Sequence, residues 1–443
     1  MSRHALLLLG LLTALMPAAA VEPGAGWDLG PEPRAFALDN GLHVVLQRDT
    51  AAPITVVQLL VRCGDRDDPP GQPGLAYLTA RLCLEISDEA KLRQLMDMGS
   101  TFSLDVGGGH SLFTVRSLSR NLEPTLAVLA SMLTNPLFSD LRIDGVKGVM
   151  RLMQGMESDD PVAFMRKTVA AAFYGTPAYG AARYGDAGSV ERIGRKDILA
   201  FYRGRYQAGN MAAVVISDLP EEDVQPLLAR QLGRIPQGAG AGTEPRLAVP
   251  RRPPQAEQTA ERRTKQALIS FSMPLPELTA DRFILASLLE TWLGKGIGCR
   301  LWRLRSRSGL AYGLAAEVQP NREAMLLSVY LKTEASRAAE AREELARLLK
   351  AAAGDGVDAA ELEAAKTYAR SVFLRENEAR EPRAATMAFL EGSGLSWRLA
   401  GEFLARLDRI GLDEFNGSLE SALAPERWFF LRVGPSEKMT NPQ

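Results

Sequence analysis

Hydrophobic residues recur along this chain with two periods, about two and about 3.6, and the runs are punctuated by Gly, Pro and Asn clusters. RAFALDNGLHVVLQRD (34–49) places Asp39-Asn40-Gly41 between two β-rich runs and predicts a hairpin. ITVVQLLVRCG (54–64) predicts a strand, PPGQPG (69–74) a loop that launches a helix, and 86–98 a further helix. TFSLDV and SLFTVRSL then predict paired strands. NLEPTLAVLASMLTNP (121–136) has amphipathic helical spacing stopped by Pro136, and more helix is expected from about 140 to 173. MAAVVIS (211–217) predicts a buried strand, and EEDVQPLLARQLGRI a closing helix.

A Gly-, Ala- and Pro-rich stretch, PQGAGAGTEPRLAVPRRPPQ (236–255), follows and predicts a linker; RRPPQAEQTAERR (251–263) extends it as a solvated, mixed-charge segment. Beyond it the plan restarts. Strand QALISFSMP (266–274), helices RFILASLLETWLG (282–294) and CRLWRLRSRSG (299–309), strand AMLLSVYLKT (324–333), helix 338–353 and further helices lead to strand WFFLRVGP (428–435). The expected fold is α+β: two similar sheet-and-helix domains, 30–235 and 263–443, joined by a linker at 236–262 and able to close around a chamber.

Composition narrows the function classes. The 443 residues carry 52 basic and 53 acidic side chains, so the chain lacks the basic excess of a nucleic-acid binder. Residues 1–20 read as a secretory leader: a short positive start (MSRH), an apolar run and a small-residue exit (PAAA), with cleavage expected after Ala20. No later run reaches the roughly 18 apolar residues of a membrane span. The expectation is a periplasmic or otherwise exported protein with no membrane span once the leader is cut, the rival reading being an uncleaved N-terminal anchor. Three cysteines, Cys63, Cys83 and Cys299, leave an odd count with no CxxC, and are expected as buried thiols.

The order of several short pieces resembles the insulinase/pitrilysin-type, M16-like peptidases in their short two-domain form. These are LDNGLHVVLQ, the G-x-x-G-L-A run at 71–76, LTNPLFS (133–139), DDPVAF (159–164), AFYGTPAYG (172–180), ISDL (216–219) and SRSGLAYGL (306–314). In active members the helix after GLA opens an inverted motif, His-x-x-Glu-His. Residues four apart share a helix face, so two imidazoles hold one Zn²⁺ while the glutamate takes a proton from metal-bound water. A later helix adds a carboxylate.

Laid onto this chain, the resemblance puts the first His at Tyr77, the base at Ala80, the second His at Arg81 and the later carboxylate at Met153, with Glu157 nearby. A phenol, a methyl, a guanidinium and a thioether are not a zinc donor set. His43, in a strand, and His110, after three glycines, are expected as packing or surface residues. No metal is therefore expected in this chain.

The resemblance also implies an Arg and a Tyr from the second half that reach the substrate carbonyl, an arginine seven residues before the tyrosine of GLAY; here they are Arg305 and Tyr312. A guanidinium and a phenol O–H suit an oxyanion. GSTFSLDVGGG (99–109) matches the stretch that forms a peptide-accepting edge strand, with Ser103, Leu104 and Asp105 at its centre and glycines that would admit a partner backbone or form a turn. The implied function is the non-catalytic subunit of a heterodimeric zinc metallopeptidase acting on peptides or unfolded segments, with zinc and base in a homologous partner subunit. The alternative is an inert scaffold or binding protein with a peptidase-like shell. An independent Ser or Cys hydrolase is disfavoured, since no G-x-S-x-G occurs and bases are scarce.

Overall fold

The computed structural model describes residues 29–86, 89–175, 182–238, 255–262, 264–321 and 325–436, with backbone alone at 89–91 and 187. The leader and most of the linker lie outside the described residues. In the first half, β1 (Arg34–Ala37) and β2 (His43–Arg48) form the expected hairpin, with Ala37 opposite His43. Gly41 takes the left-handed conformation the turn requires, φ +83°. Next come β3 (Ile54–Val61), α1 (Leu75–Cys83), α2 (Glu89–Asp97), β4 (Thr101–Val106) and β5 (Ser111–Leu118). Helix α3 (Leu122–Thr134) ends before Pro136.

The long helical stretch expected over 140–173 is two helices, α4 (Asp140–Asp159) and α5 (Pro161–Tyr174). Asp160 makes the break: its carboxylate accepts from Val162 N at 2.9 Å, and Pro161 occupies the first helical position. Helices α6 (Ala187–Arg192) and α7 (Arg195–Arg205), β6 (Met211–Ser217) and α8 (Glu221–Leu232) complete this half. Its sheet runs β1-β2-β6-β3-β5-β4, with β2 and β6 parallel and all other pairs antiparallel.

The second half contains β7 (Glu257–Glu261), β8 (Gln266–Leu275), α9 (Ala280–Gly294), α10 (Trp302–Ser306), β9 (Gly313–Pro320) and β10 (Met325–Glu334). Then follow α11 (Ala338–Asp355), α12 (Ala359–Asn377), α13 (Arg380–Gly392), α14 (Leu399–Arg409), α15 (Leu412–Ala422) and β11 (Phe429–Gly434). The sheet order β7-β11-β8-β10-β9, with β7 and β11 parallel, repeats β2-β6-β3-β5-β4 strand for strand. Two expectations change here. Glu257–Glu261, expected as solvated linker, is an edge strand; its side chains are nearly all exposed, so no apolar alternation marks it. The helix expected over 299–309 shortens to α10, because Arg300 and Leu301 instead donate back to the carbonyls of Trp292 and Leu293 at 3.0 Å.

The halves exchange helices. On β3, Val57, Leu59 and Val61 pack into the core of their own half, while Val56 and Leu60 face the other way and join α13 residues Ala384, Met387 and Ala388. On β6, Ala213 and Val215 face inward and Val214 and Ile216 meet α13. In return, Val162, Met165, Val169 and Phe173 of α5 cover Leu268, Leu326, Leu431 and Val433 of the second sheet. This two-sided burial is why β6 is apolar from Met211 to Ile216 and β3 is interrupted only by Thr55 and Gln58. Gly392 ends α13 against β3, where a Cβ would come within 2.6 Å of the Leu60 side chain. Polar clamps fix both crossings. Arg380 and Arg383 bind Asp49, with Arg380 Nη2 3.0 Å from Oδ1, and Arg166 of α5 makes a two-pronged contact with Glu317 at 2.8 and 2.9 Å. Among the described residues no helix is long and apolar enough to cross a membrane.

Candidate functional site

Helix α1 starts at Gly74, whose φ of +95° suits glycine alone, and Asp68 receives the N–H groups of Gly74 and Ala76, both at 2.7 Å. A Cβ on Gly74 would also meet Gly185 N at 2.9 Å, and one on Gly185 would meet Pro73 O at 2.4 Å. These two glycines therefore let residues 182–186 lie directly against the start of α1, where Ser189 Oγ donates to Pro73 O at 3.1 Å.

That close approach packs against Tyr77, where the resemblance would put the first His. Tyr77 meets Tyr184 edge-on, ring centroids 4.8 Å apart, and Gln154 of α4 holds Tyr184 O at 2.7 Å. Burial, with Tyr184 beside it, raises the Tyr77 pKa. Ala80 is fully buried. Arg81 is engaged just past the end of its helix, 2.9 Å from Glu85, which also lies 3.7 Å from Arg142 of α4. Met153 is half-buried on α4, which packs against α1, and Glu157 accepts from Lys167 at 3.2 Å. Phenol, methyl, paired guanidinium and thioether do not fit zinc, and among the described residues no group of three or more His, Cys, Asp or Glu could hold a metal ion. His43 Nδ1 lies 3.2 Å from Glu391, a pairing that the sequence reading did not foresee, and half-buried His110 packs edge-on against Phe389.

Sequence reasoning missed Arg183 and Tyr184. Arg183 lies 3.7 Å from Asp105 of β4; burial opposes its charge, but the Asp105 and Asp65 carboxylates outweigh it and raise its pKa. The one clue in the sequence was Gly185, a glycine needed for contact with Gly74.

Strand β4 is the last strand of its sheet, hydrogen-bonded to β5 on one side only, so Ser103, Leu104 and Asp105 sit on an edge. The glycines after it have a different role from admitting a partner. Gly107 and Gly108 accept from Asp65 N (3.3 Å) and Arg66 N (2.9 Å), and a Cβ on Gly64 would strike Gly107 O at 2.2 Å. The run packs against this chain's own 64–66 loop.

Arg305 and Tyr312 are both exposed, one on α10 and one just before β9. Gly309 (φ +58°) reverses the chain between them, and Arg337 braces the reversal through Gly309 O at 3.1 Å and Ser308 O at 3.3 Å. Each side chain has its own neighbour. The Arg305 guanidinium lies 5.1 Å from the Trp302 ring centroid, and the Tyr312 hydroxyl donates to Glu334. That hydrogen bond raises the Tyr312 pKa, keeping the phenol a donor at neutral pH.

Family models match both halves: residues 43–186 match the insulinase (peptidase family M16) model, and residues 192–368 the model described as the peptidase M16 inactive domain. The chain belongs to the M16 peptidase family. An uncharacterized zinc protease of Mycobacterium leprae is 24% identical over 418 residues, covering 92% of this chain and 93% of that protein. The crystal structure of a peptidase M16 inactive domain from Pseudomonas fluorescens superposes with a TM-score of 0.83 at 20% identity, covering 92% and 98% of the two chains. The first half of the periplasmic protease PqqL from Escherichia coli gives 0.73 at 15% identity, covering 95% and 96%. This M16 chain thus has the family's fold.

Proposed function

We propose that this M16 chain is the non-catalytic subunit of an exported two-chain zinc peptidase. It receives an extended peptide along β4 and offers Arg305 and Tyr312 to the scissile carbonyl oxygen. A homologous partner subunit supplies zinc, its ligands and the general base. This reading is supported by Tyr77, Ala80, Arg81 and Met153 standing where the resemblance would put the zinc ligands and base, together with an exposed Arg305 and an exposed Tyr312 whose pKa is raised. The open side of β4 supports peptide capture, because main-chain bonding to an edge is indifferent to sequence. The leader supports export.

This chain's part in the reaction is electrostatic. The carbonyl oxygen gains charge as water adds, and a guanidinium and a phenol O–H lower the energy of that charge more than of the neutral carbonyl. Tyr312 must first exchange Glu334 for the substrate oxygen. The test is the peptidase rate of the purified complex carrying Tyr312→Phe and Arg305→Ala. A drop in kcat of about a hundredfold or more supports the reading; an unchanged rate overturns it.

A second reading, an inert scaffold, draws on one observation: Tyr312 is bonded to Glu334 and the Arg305 guanidinium lies over the Trp302 ring, so each already has a neighbour within the chain. Under it the same double variant leaves the complex fully active.

A further inference from the structure

A cleft of about 270 Å³ lies between α10 and α11. Four arginines, Arg300, Arg303, Arg307 and Arg347, share it with two carboxylates, Glu344 and Asp355. Leu304, Leu348, Ala351 and Ala352 give it an apolar lining. An apolar cavity of about 150 Å³ is enough for a benzene ring, so a ring and one further group have room here. Neither Arg305 nor Tyr312 lines it.

Two of the arginines are already held. Arg300 pairs with Glu361 at 3.1 Å and lies over the Trp292 ring, 5.2 Å from its centroid, and Arg347 pairs with Glu344. Arg303 and Arg307 differ: among the described residues neither side chain has an ion pair or a hydrogen bond. Arg307 N donates to Arg303 O at 3.0 Å, so one helical turn separates them and both side chains leave the same face. Like charges so placed repel each other. With Glu344 taken, Asp355 is the one carboxylate left in the cleft to answer them. A single monoanion leaves two guanidiniums undercompensated, whereas a phosphoryl dianion offers oxygens to both planar forks at once.

We propose that this cleft binds a small organic phosphate monoester, its phosphoryl group between Arg303 and Arg307 and its apolar body against Leu304, Leu348 and Ala351. The site is independent of the peptidase reading, since Arg305 and Tyr312 take no part in it.

The experiment is calorimetric titration of the full chain with phenyl phosphate. At about pH 8 a phosphate monoester is a dianion, and about 0.15 M salt screens loose attraction. Phenyl phosphate should bind saturably with one site per chain. Benzoate, a monoanion with the same ring, and inorganic phosphate, which lacks the ring, should each bind at least about tenfold more weakly. Arg303→Gln and Arg307→Gln should each weaken phenyl phosphate by about tenfold or more, the scale of losing one charge-assisted hydrogen bond. Both side chains are exposed, so neither change should disturb folding. Lys350→Gln removes an exposed charge from α11 outside the cleft and should leave binding unchanged. Absence of saturable binding, equal binding of benzoate or inorganic phosphate, undiminished binding in either arginine variant, or the same loss in Lys350→Gln would each overturn the site.

Discussion

Tyr77 and Tyr184 meet edge to face at 4.8 Å, and the contact holds residues 182–186 against the start of α1. Aromatic edge-to-face pairs contribute about 1 kcal/mol beyond their buried area. Tyr77 is therefore a packed part of the fold. Gly74 and Gly185 make the contact possible by letting two backbones touch.

Writing His-x-x-Glu-His back into α1 (Tyr77→His, Ala80→Glu, Arg81→His) should not restore a metal centre. Ala80 is fully buried, so a carboxylate there without a metal should destabilise the chain by about 2–4 kcal/mol, and Met153 still leaves the site short of a donor. Urea unfolding and zinc retained after dialysis check this. Substoichiometric zinc is expected in the triple variant, rising only when Met153→Glu is added.

The exchange of helices has its own acid sensitivity. Burial raises the Asp49 pKa, yet the hydrogen bonds from Arg380, the Ala51 N–H and Arg383 together outweigh it and bring the carboxyl down to about 2 from an ordinary 3.8. A group whose pKa falls on folding stabilises above its unfolded value and loses that contribution as pH drops. The stabilisation should be complete above pH 4 and disappear between about 4 and 2. Asp49→Asn should cost about 3 kcal/mol at pH 7, because two arginines lose their counter-charge, and should flatten stability across that window in pH-resolved denaturant melts.

Glu334 sets the protonation of Tyr312. Its carboxylate accepts from the phenol and repels a phenolate, so Glu334→Gln should shift the Tyr312 titration to lower pH. Ultraviolet difference titration against a Tyr312→Phe background isolates this one tyrosine. An unshifted curve would mean that the bond to Glu334 does not form in solution.

Much of the fold was legible because burial follows period. The Asp39–Gly41 hairpin, the strands at 54–61 and 211–217 and the helix at 122–134 all follow from patterns of apolar residues and turn residues. Strand β7 was not legible, since it is bonded through its backbone and presents almost no apolar side chain. Nor was the exchange of α5 and α13, because an apolar face shows that it is buried without showing what covers it. At the candidate site the absence of His from α1 could be read directly, as side-chain chemistry is local. Arg183 and Tyr184 could not, for they reach α1 only through a contact between glycines more than a hundred residues apart in sequence.

The account rests on a division of labour: this M16 chain holds a carbonyl oxygen, and its partner activates the water. The most direct test separates the subunits of the complex purified from its native source and measures zinc and peptide hydrolysis on each. The account predicts zinc on the partner alone, no hydrolysis by this chain, and activity regained on mixing. Stoichiometric zinc on this chain, with hydrolysis that a chelator abolishes, would contradict it.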